Sequence, residues 1–166
     1  MKQSDYLQDN LEIVKSLRKL PILQSMEERH VKGLAKLCRI TQYDSGETIF
    51  EEDKFDKFLY FLISGKVKIV KKGTEVGTFD RVGDVFGEMA VIDSKARSAS
   101  VIAATAVNCL KMDISYLEQL PENERETAAY VVYRVFCDIL STRLRQTTEE
   151  LIKAKDEIKR LQSLPQ

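Results

Sequence analysis

The sequence has few of the residues on which most metal and catalytic sites depend. It contains one histidine, His30, and three widely separated cysteines among 166 residues. A zinc site needs several histidine or cysteine ligands, and the cysteines form no Cys-x-x-Cys pair. A Ser-His-Asp or Cys-His arrangement would have to use His30, which falls within a predicted helix. We therefore expect no catalytic residues, no metal and no cofactor, and we expect reduced thiols in apolar positions for Cys38, Cys109 and Cys137.

An excess of one charge and long apolar runs are also missing. Lys plus Arg and Asp plus Glu number 26 each, which argues against a role in binding nucleic acid or another polyanion. No apolar run reaches the about eighteen residues of a membrane span, and the first residues, MKQSDYLQDN, lack the apolar core of a signal peptide. We expect a cytoplasmic protein with no membrane segment and one hydrophobic core.

Hydrophobic periodicity divides the chain into three parts. Residues 1–38 have helical spacing and predict helices that cover the rest, with Pro21 between them and Ser25 and Glu28 as a capping box. Residues 39–120 change to a period of two, broken by glycine turns, which predicts a jelly roll of two packed antiparallel sheets. A short helix over 114–120 precedes a long one over 121–166. The apolar positions behind this division are Leu7, Leu11, Val14, Val31, Leu34, Ala35 and Leu37 in the first part and Val101, Ala103 and Val107 in the second.

The last helix carries apolar residues at alternating steps of four and three. Such a heptad seam, flanked by charged residues, favours two parallel helices and hence a homodimer. The alternative is a single amphipathic helix that packs on its own barrel. This alternative explains the part of the helix before Leu144 better than the part after it. Cys137 would approach its copy across the dimer, although a disulfide is not expected in a reducing cytosol. The seam consists of Tyr133, Cys137, Leu140, Leu144, Thr147, Leu151, Ala154, Ile158 and Leu161.

The candidate binding residues lie in the segment 83–101, GDVFGEMAVIDSKARSASV, which we call the cassette. Gly87 and Glu88 open a short apolar turn whose first N–H groups can face an anion, and Ser98 adds a hydroxyl. Arg97 can add two charge-assisted hydrogen bonds. A carboxylate beside a phosphate is repulsive unless it accepts hydrogen bonds from sugar hydroxyls. Glu88 and Arg97 together therefore indicate a ligand that carries both sugar hydroxyls and a phosphate. A solvent-exposed Glu88–Arg97 ion pair is the alternative.

Two segments of the cassette, FGEMA at 86–90 and RSASV at 97–101, resemble the phosphate-binding cassette of cyclic nucleotide-binding domains. That family includes the catabolite activator regulators, protein kinase regulatory subunits and cyclic nucleotide-gated channels. The resemblance extends over residues 17–151 and implies a mainly β jelly roll (double-stranded β-helix) with N-terminal helices and a long C-terminal dimerisation helix. Ala96 stands where the family often has proline. The ligand-binding residues implied within the cassette are Gly87, Glu88, Met89, Ala90, Arg97, Ser98 and Ala99.

The resemblance also implies a role for each group. Glu88 would accept from the ribose 2′-hydroxyl, Arg97 would pair with the cyclic phosphate, and Ser98 would hydrogen-bond phosphate or base. Backbone N–H groups of Glu88, Met89 and Ala99 would complete the cradle. The segment STRLRQTTEEL, 141–151, resembles the dimerisation helix of the catabolite activators and implies that Arg143, Thr147 and Thr148 close the site over the base, with one hydroxyl from the partner subunit. The paired threonines favour cyclic AMP over cyclic GMP.

Two functions stay open. One is a cyclic nucleotide sensor that signals through its C-terminal helix to a partner protein; the other is a ligand-free dimeric scaffold or protein-interaction module with a degenerate site. In the regulators it resembles, the long helix leads into a DNA-binding helix-turn-helix, and because the sequence stops at Gln166 we expect no direct DNA binding. Jelly rolls also occur in cupin enzymes, but these use two or three histidines. Glu88 and Asp84 as paired catalytic carboxylates have nothing to distinguish them from ordinary loop acids.

Overall fold

The strands of the computed structural model, which describes residues 2–3, 10–19, 23–24 and 27–162, form two antiparallel sheets. Within these residues there are nine strands: β1 Lys2–Gln3, β2 Cys38–Tyr43, β3 Thr48–Phe50, β4 Phe58–Ser64, β5 Val67–Lys71, β6 Thr74–Phe79, β7 Val85–Phe86, β8 Ser100–Ala103 and β9 Val107–Asp113. One sheet has the order β1-β2-β9-β4-β7, and the other has the order β3-β8-β5-β6. The predicted jelly roll is confirmed.

The strand β4, next to the central strand β9, is covered on both of its faces. Leu59 and Phe61 belong to a core between this sheet and the helices, whereas Tyr60 and Leu62 belong to a second core between the two sheets. The apolar run FLYFLI is typical of a strand with no solvated face. The predicted core residues Val101, Ala103 and Val107 are all buried in the core between the sheets. The binding cassette is attached to this second core.

The helices lie on the outer face of the larger sheet. They are α1 Asn10–Lys19, α2 Glu28–Ala35, α3 Glu88–Ile92 within the cassette, and α4 Glu122–Gln162, preceded by a 3-10 helix, Ile114–Gln119. The α2 face is confirmed, because Val31, Leu34, Ala35 and Leu37 are all buried. The N-cap of α2 is Glu27. The predicted Leu7, Pro21 and Ser25 lie outside the described residues.

The helix α4 has two apolar faces with different surroundings. One face packs on the domain and consists of buried residues that end at Ile139, whereas every residue of the seam is exposed, Tyr133 by 68% and Leu144 by 70%. The first half of α4 therefore lies on its own barrel, but through residues other than those of the seam, and the seam is a separate surface. No helix of the described part of the chain is long and apolar enough to span a membrane. The buried face consists of Ala128, Val131, Val132, Val135, Phe136 and Ile139.

The three cysteines differ in their surroundings. Cys38 and Cys109 are buried, as predicted, and burial raises the pKa of the Cys109 thiol to about 12 and raises the pKa of Cys38 as well. Both thiols are therefore unreactive. The prediction of an apolar position for Cys137 is wrong, because Cys137 is exposed. The buried face of α4 passes through Val135, Phe136 and Ile139, and Cys137 lies on the other side of the helix.

The turn between β4 and β5 allows a direct test of the fold. Gly65 has a left-handed φ of 92°, and a Cβ there would overlap the carbonyl oxygen of Ala106. Gly46 has nearly the same φ, 88°, with open space around it. We predict that Gly46→Ala lowers the free energy of unfolding by about 1–2 kcal/mol, and that Gly65→Ala lowers it by about 3 kcal/mol or more because a backbone clash adds to the φ strain. Equal losses in urea denaturation would contradict this prediction.

Candidate functional site

The turn into α3 depends on a glycine for two reasons. Gly87 follows β7 with a left-handed φ of 85°. A Cβ at this position would also overlap the guanidinium of Arg97 and lie 3.1 Å from the carbonyl oxygen of Phe58. At Gly87 the backbone of the cassette therefore contacts a buried cation directly, and a side chain at this position would displace the cation.

Arg97 is the largest buried polar side chain among the described residues, with 1% of its side chain exposed. Its Nε donates to Oδ2 of Asp56 at 3.1 Å, and its Nη2 donates to Oδ1 of the same carboxylate. Nη1 donates to the carbonyl of Gly87 and Nη2 to that of Phe58, both at 2.7 Å. Four of the five guanidinium N–H groups thus have acceptors in the described part of the protein, and one N–H on Nη1 remains.

Aromatic rings form the floor beneath this guanidinium. Arg97 Cζ lies 4.0 Å from the ring centroid of Phe50, and the rings of Tyr60 and Phe86 stack with centroids 5.3 Å apart. Cation–π attraction is stronger where water is excluded, as it is here. Burial raises the pKa of Tyr60, so its hydroxyl stays protonated. The cation lies on an apolar, neutral surface.

Glu88 is also buried, with 2% of its surface exposed, and its partner is on α4. Arg143 forms an ion pair with Glu88 through Oε1 and donates a second hydrogen bond to the carbonyl of Val85. The alternative of an exposed Glu88–Arg97 ion pair is therefore wrong, because each side chain is buried with a different partner. The predicted α4 residue Arg143 thus contacts the cassette directly.

The remaining predicted site residues fall into two groups. Ala90 is buried, and Ala99 is half-buried in the cassette; Met89 and Ser98 are exposed with the Ser98 hydroxyl 3.7 Å from the Met89 sulfur. Thr147 and Thr148, by contrast, are exposed on α4, and the Thr148 hydroxyl donates to the carbonyl of Leu144 at 2.7 Å. One chain thus brings Arg143 to the cassette but not the two threonines.

Two cavities adjoin these residues. The larger, of about 560 Å³, lies between the segment 79–85 and α4, with Arg143 in its wall. That volume is within the range of small-molecule pockets. The smaller, of about 270 Å³, lies beside Asp56 and Ala90. The other residues that line the larger cavity are Phe79, Arg81, Val82, Gly83, Asp84, Val85, Asp138, Ile139, Thr142 and Gln146.

Sequence reasoning did not identify Asp56, the partner of Arg97. Asp56 is one of several acids in the segment EEDKFDKF, 51–58, and no local pattern distinguishes it.

A buried arginine thus lies beneath a glycine turn of the jelly roll, and the long helix contacts the same turn. The profile of the family described as the cyclic nucleotide-binding domain matches residues 40–124, about half of the chain. The chain belongs to the cyclic nucleotide-binding domain family.

Curated relatives and solved structures agree with this assignment. The chain is 36% identical over 98 residues to the cAMP-dependent protein kinase regulatory subunit of Aspergillus fumigatus, covering 58% of this chain and 24% of the relative. It is 28% identical over 139 residues to the CRP-like cAMP-activated global transcriptional regulator of Mycobacterium tuberculosis, covering 81% and 60%. A cyclic nucleotide-binding domain from Methylobacillus flagellatus has the same fold, with a TM-score of 0.71, 21% identity, and coverage of 87% and 83%. The chain thus spans only part of the length of both curated relatives.

The Glu88–Arg143 pair yields a stability prediction. Arg143→Met leaves a buried carboxylate without its cation, so we expect the free energy of unfolding to fall by about 2–3 kcal/mol, less than for a fully buried pair because a third of the Arg143 side chain is exposed. The exposed neighbour Arg145→Met serves as the control. Adding Glu88→Gln to Arg143→Met should restore part of the loss. Equal effects of the two arginine variants in urea denaturation would contradict the prediction.

Proposed function

We propose that this chain is a cyclic nucleotide sensor that binds cyclic AMP in preference to cyclic GMP and signals through α4 to a partner protein. The observation that carries the proposal is the buried Arg97 cation against the left-handed Gly87 of the cassette. One N–H on Nη1 of this cation has no acceptor in the described part of the protein, and a guanidinium N–H is a strong donor to a phosphate oxygen. The names of both curated relatives refer to cAMP, which supports this nucleotide.

The phosphate approaches Arg97 from the side of Nη1. Asp56 holds the opposite edge of the guanidinium through Nε and Nη2, so the side chain is already oriented before the ligand arrives. Backbone N–H groups of Glu88, Met89 and Ala99, together with the exposed hydroxyl of Ser98, supply the other donors. Preset donors lose little conformational entropy on binding, which favours affinity.

The ribose binds at Glu88. Arg143 bonds Oε1, and Oε2 makes no hydrogen bond with the described residues, so it can accept from a ribose hydroxyl. A ligand at this carboxylate touches the same group that anchors α4. Binding and helix position are therefore coupled through one ion pair.

The seam of α4 forms a parallel homodimer. Its apolar residues are exposed in the single chain, and a continuous exposed apolar surface of this length favours association. Thr147 lies on the seam, so a dimer brings the threonines of the partner helix towards the base. These contacts are the basis for preferring cyclic AMP.

The second candidate, a ligand-free scaffold, is favoured by a different observation. Both charged residues of the cassette are already paired, Arg97 with Asp56 and Glu88 with Arg143, so the site is electrostatically satisfied without a nucleotide. The two candidates differ in ligand binding and share the dimer.

Calorimetry with cyclic AMP and cyclic GMP separates the two candidates. We expect binding of both, tighter for cyclic AMP, and a loss of about 1.5–3 kcal/mol of binding free energy in Arg97→Ala because a charged hydrogen-bond donor is removed. The exposed Arg29 on α2 lines neither cavity, so Arg29→Ala is the matched control, and circular dichroism checks that each variant is folded. Absence of heat and of a thermal shift at millimolar nucleotide would favour the scaffold, and unchanged affinity in Arg97→Ala would remove Arg97 from the site.

The dimer is tested on the seam itself. Leu144→Asp places a carboxylate in the proposed apolar interface, and we expect a monomer in sedimentation velocity at micromolar concentration. Gln146→Asp adds the same charge on the opposite face of α4 and should leave the dimer intact. A Leu144→Asp variant that still sediments as a dimer would show that the seam is not the interface.

A further inference from the structure

The second half of α4 carries the seam but has no contact with the domain that would cover it. Leu144 is 70% exposed, Leu151 and Ile158 are 53% exposed, and every residue over 144–162 is exposed. Most helices in proteins owe their stability to packing of an apolar face, and the described part of this chain offers no cover for this one. A second helix is therefore the natural cover for the seam.

The steps of the seam assign a heptad position to each residue of this half. Leu144 and Leu151 occupy a positions and Thr147 occupies a d position, because the step from a to d is three residues and the step from d to a is four. Glu150 then falls at g and Lys155 at e, on the two flanks of the seam. Both side chains are exposed, and neither has an ion-pair partner among the described residues. The seam thus has one free anion on one flank and one free cation on the other.

These two opposite charges cannot pair within one helix. Residues five apart are separated by about 140° around an α-helix and by about 7.5 Å along it, whereas residues three or four apart face each other. In a parallel, in-register coiled coil, a g residue lies beside the e residue five positions later on the other helix. Glu150 of one copy would therefore meet Lys155 of the partner subunit, and two-fold symmetry forms the same contact twice.

An antiparallel pair of helices would bring different charges together. It places the g positions of one helix beside the g positions of the other, and after Arg143 these positions hold Glu150 and Glu157. Like charges placed opposite each other repel and disfavour that arrangement. The charge pattern therefore favours the parallel orientation.

We propose that Glu150 forms an ion pair with Lys155 of the partner subunit, and that this contact selects a second copy of the chain in a parallel, in-register orientation. The inference rests on the homodimer of the proposed function. In the same register, the g and e positions one heptad earlier hold Arg143 and Thr148 of the partner subunit. The ion pair thus determines which residue of the second copy lies beside the arginine that holds Glu88.

Charge exchange on the full chain tests this pair. Glu150→Lys and Lys155→Glu each replace two attractive contacts by two repulsive ones, so we expect each variant to raise the Kd of its homodimer about tenfold in sedimentation equilibrium. An equimolar mixture of the two variants should recover the original affinity, because one helix then carries only lysines at these positions and the other only glutamates. The double variant Glu150→Lys, Lys155→Glu should form a homodimer as tight as that of the unmodified chain.

Mixing the double variant with the unmodified chain tests the orientation. A parallel mixed dimer would place like charges opposite each other at both contacts, so native mass spectrometry should find two separate homodimers. Glu149→Lys is the matched control, because position 149 is an f position on the side of α4 away from the seam, and it should leave the dimer Kd unchanged.

The outcomes separate this inference from the homodimer itself. Preferential mixed dimers would indicate antiparallel helices, and equal effects of Glu149→Lys and Glu150→Lys would show that no specific pair forms. Either result overturns the inference and leaves the homodimer in place. If the unmodified chain sediments as a monomer, the homodimer of the proposed function fails and this inference fails with it, whereas nucleotide binding is judged separately by calorimetry.

Discussion

The buried charge of Arg97 is the constraint on which the site depends. A guanidinium with 1% of its side chain exposed has to be neutralised and hydrogen-bonded where it lies, and residues of two separate segments do this. Asp56 supplies the anion, and Gly87 and Phe58 supply carbonyls. Backbone hydrogen bonds join the same two segments: the Asp53 N–H donates to the carbonyl of Arg97, and the Arg97 N–H donates to the carbonyl of Lys54. The loop before β4 and the cassette are thus assembled around one cation.

The second ion pair extends this assembly to α4. Glu88 is the residue next to Gly87, so the turn that makes room for Arg97 also fixes the carboxylate that Arg143 reaches from α4. Under the proposed function, this turn alone is enough to couple ligand binding to the position of α4, since the ligand site and α4 both act on it.

The fold could be predicted from the sequence because its signals are local. Alternation in 39–120, glycines at the turns and the FGEMA and RSASV segments each lie within a few residues, and the jelly roll, the helix faces and the family follow from them. The partners of the buried charges could not be predicted, because Asp56 is 41 residues from Arg97 and Arg143 is 55 from Glu88. Hydrophobic periodicity does not link positions so far apart in the sequence. The α4 pattern was ambiguous for another reason: a domain-facing stripe through Val135 and Ile139 and the seam through Leu140 and Leu144 overlap in sequence, and both exist.

Under the proposed function, the part of α4 beyond Arg143 would amplify a small tilt of the helix at the cassette into a large displacement of its far end. The last fully buried residue of the helix is Ile139, Arg143 is half-buried, and every residue from there to Gln162 is exposed. The 19 residues from Arg143 to Gln162 span about 28 Å at 1.5 Å per residue. The helix is therefore a lever arm with its fulcrum at the cassette, and a tilt of about 10° at the arginine would move its far end by about 5 Å, several times any displacement at the ion pair itself.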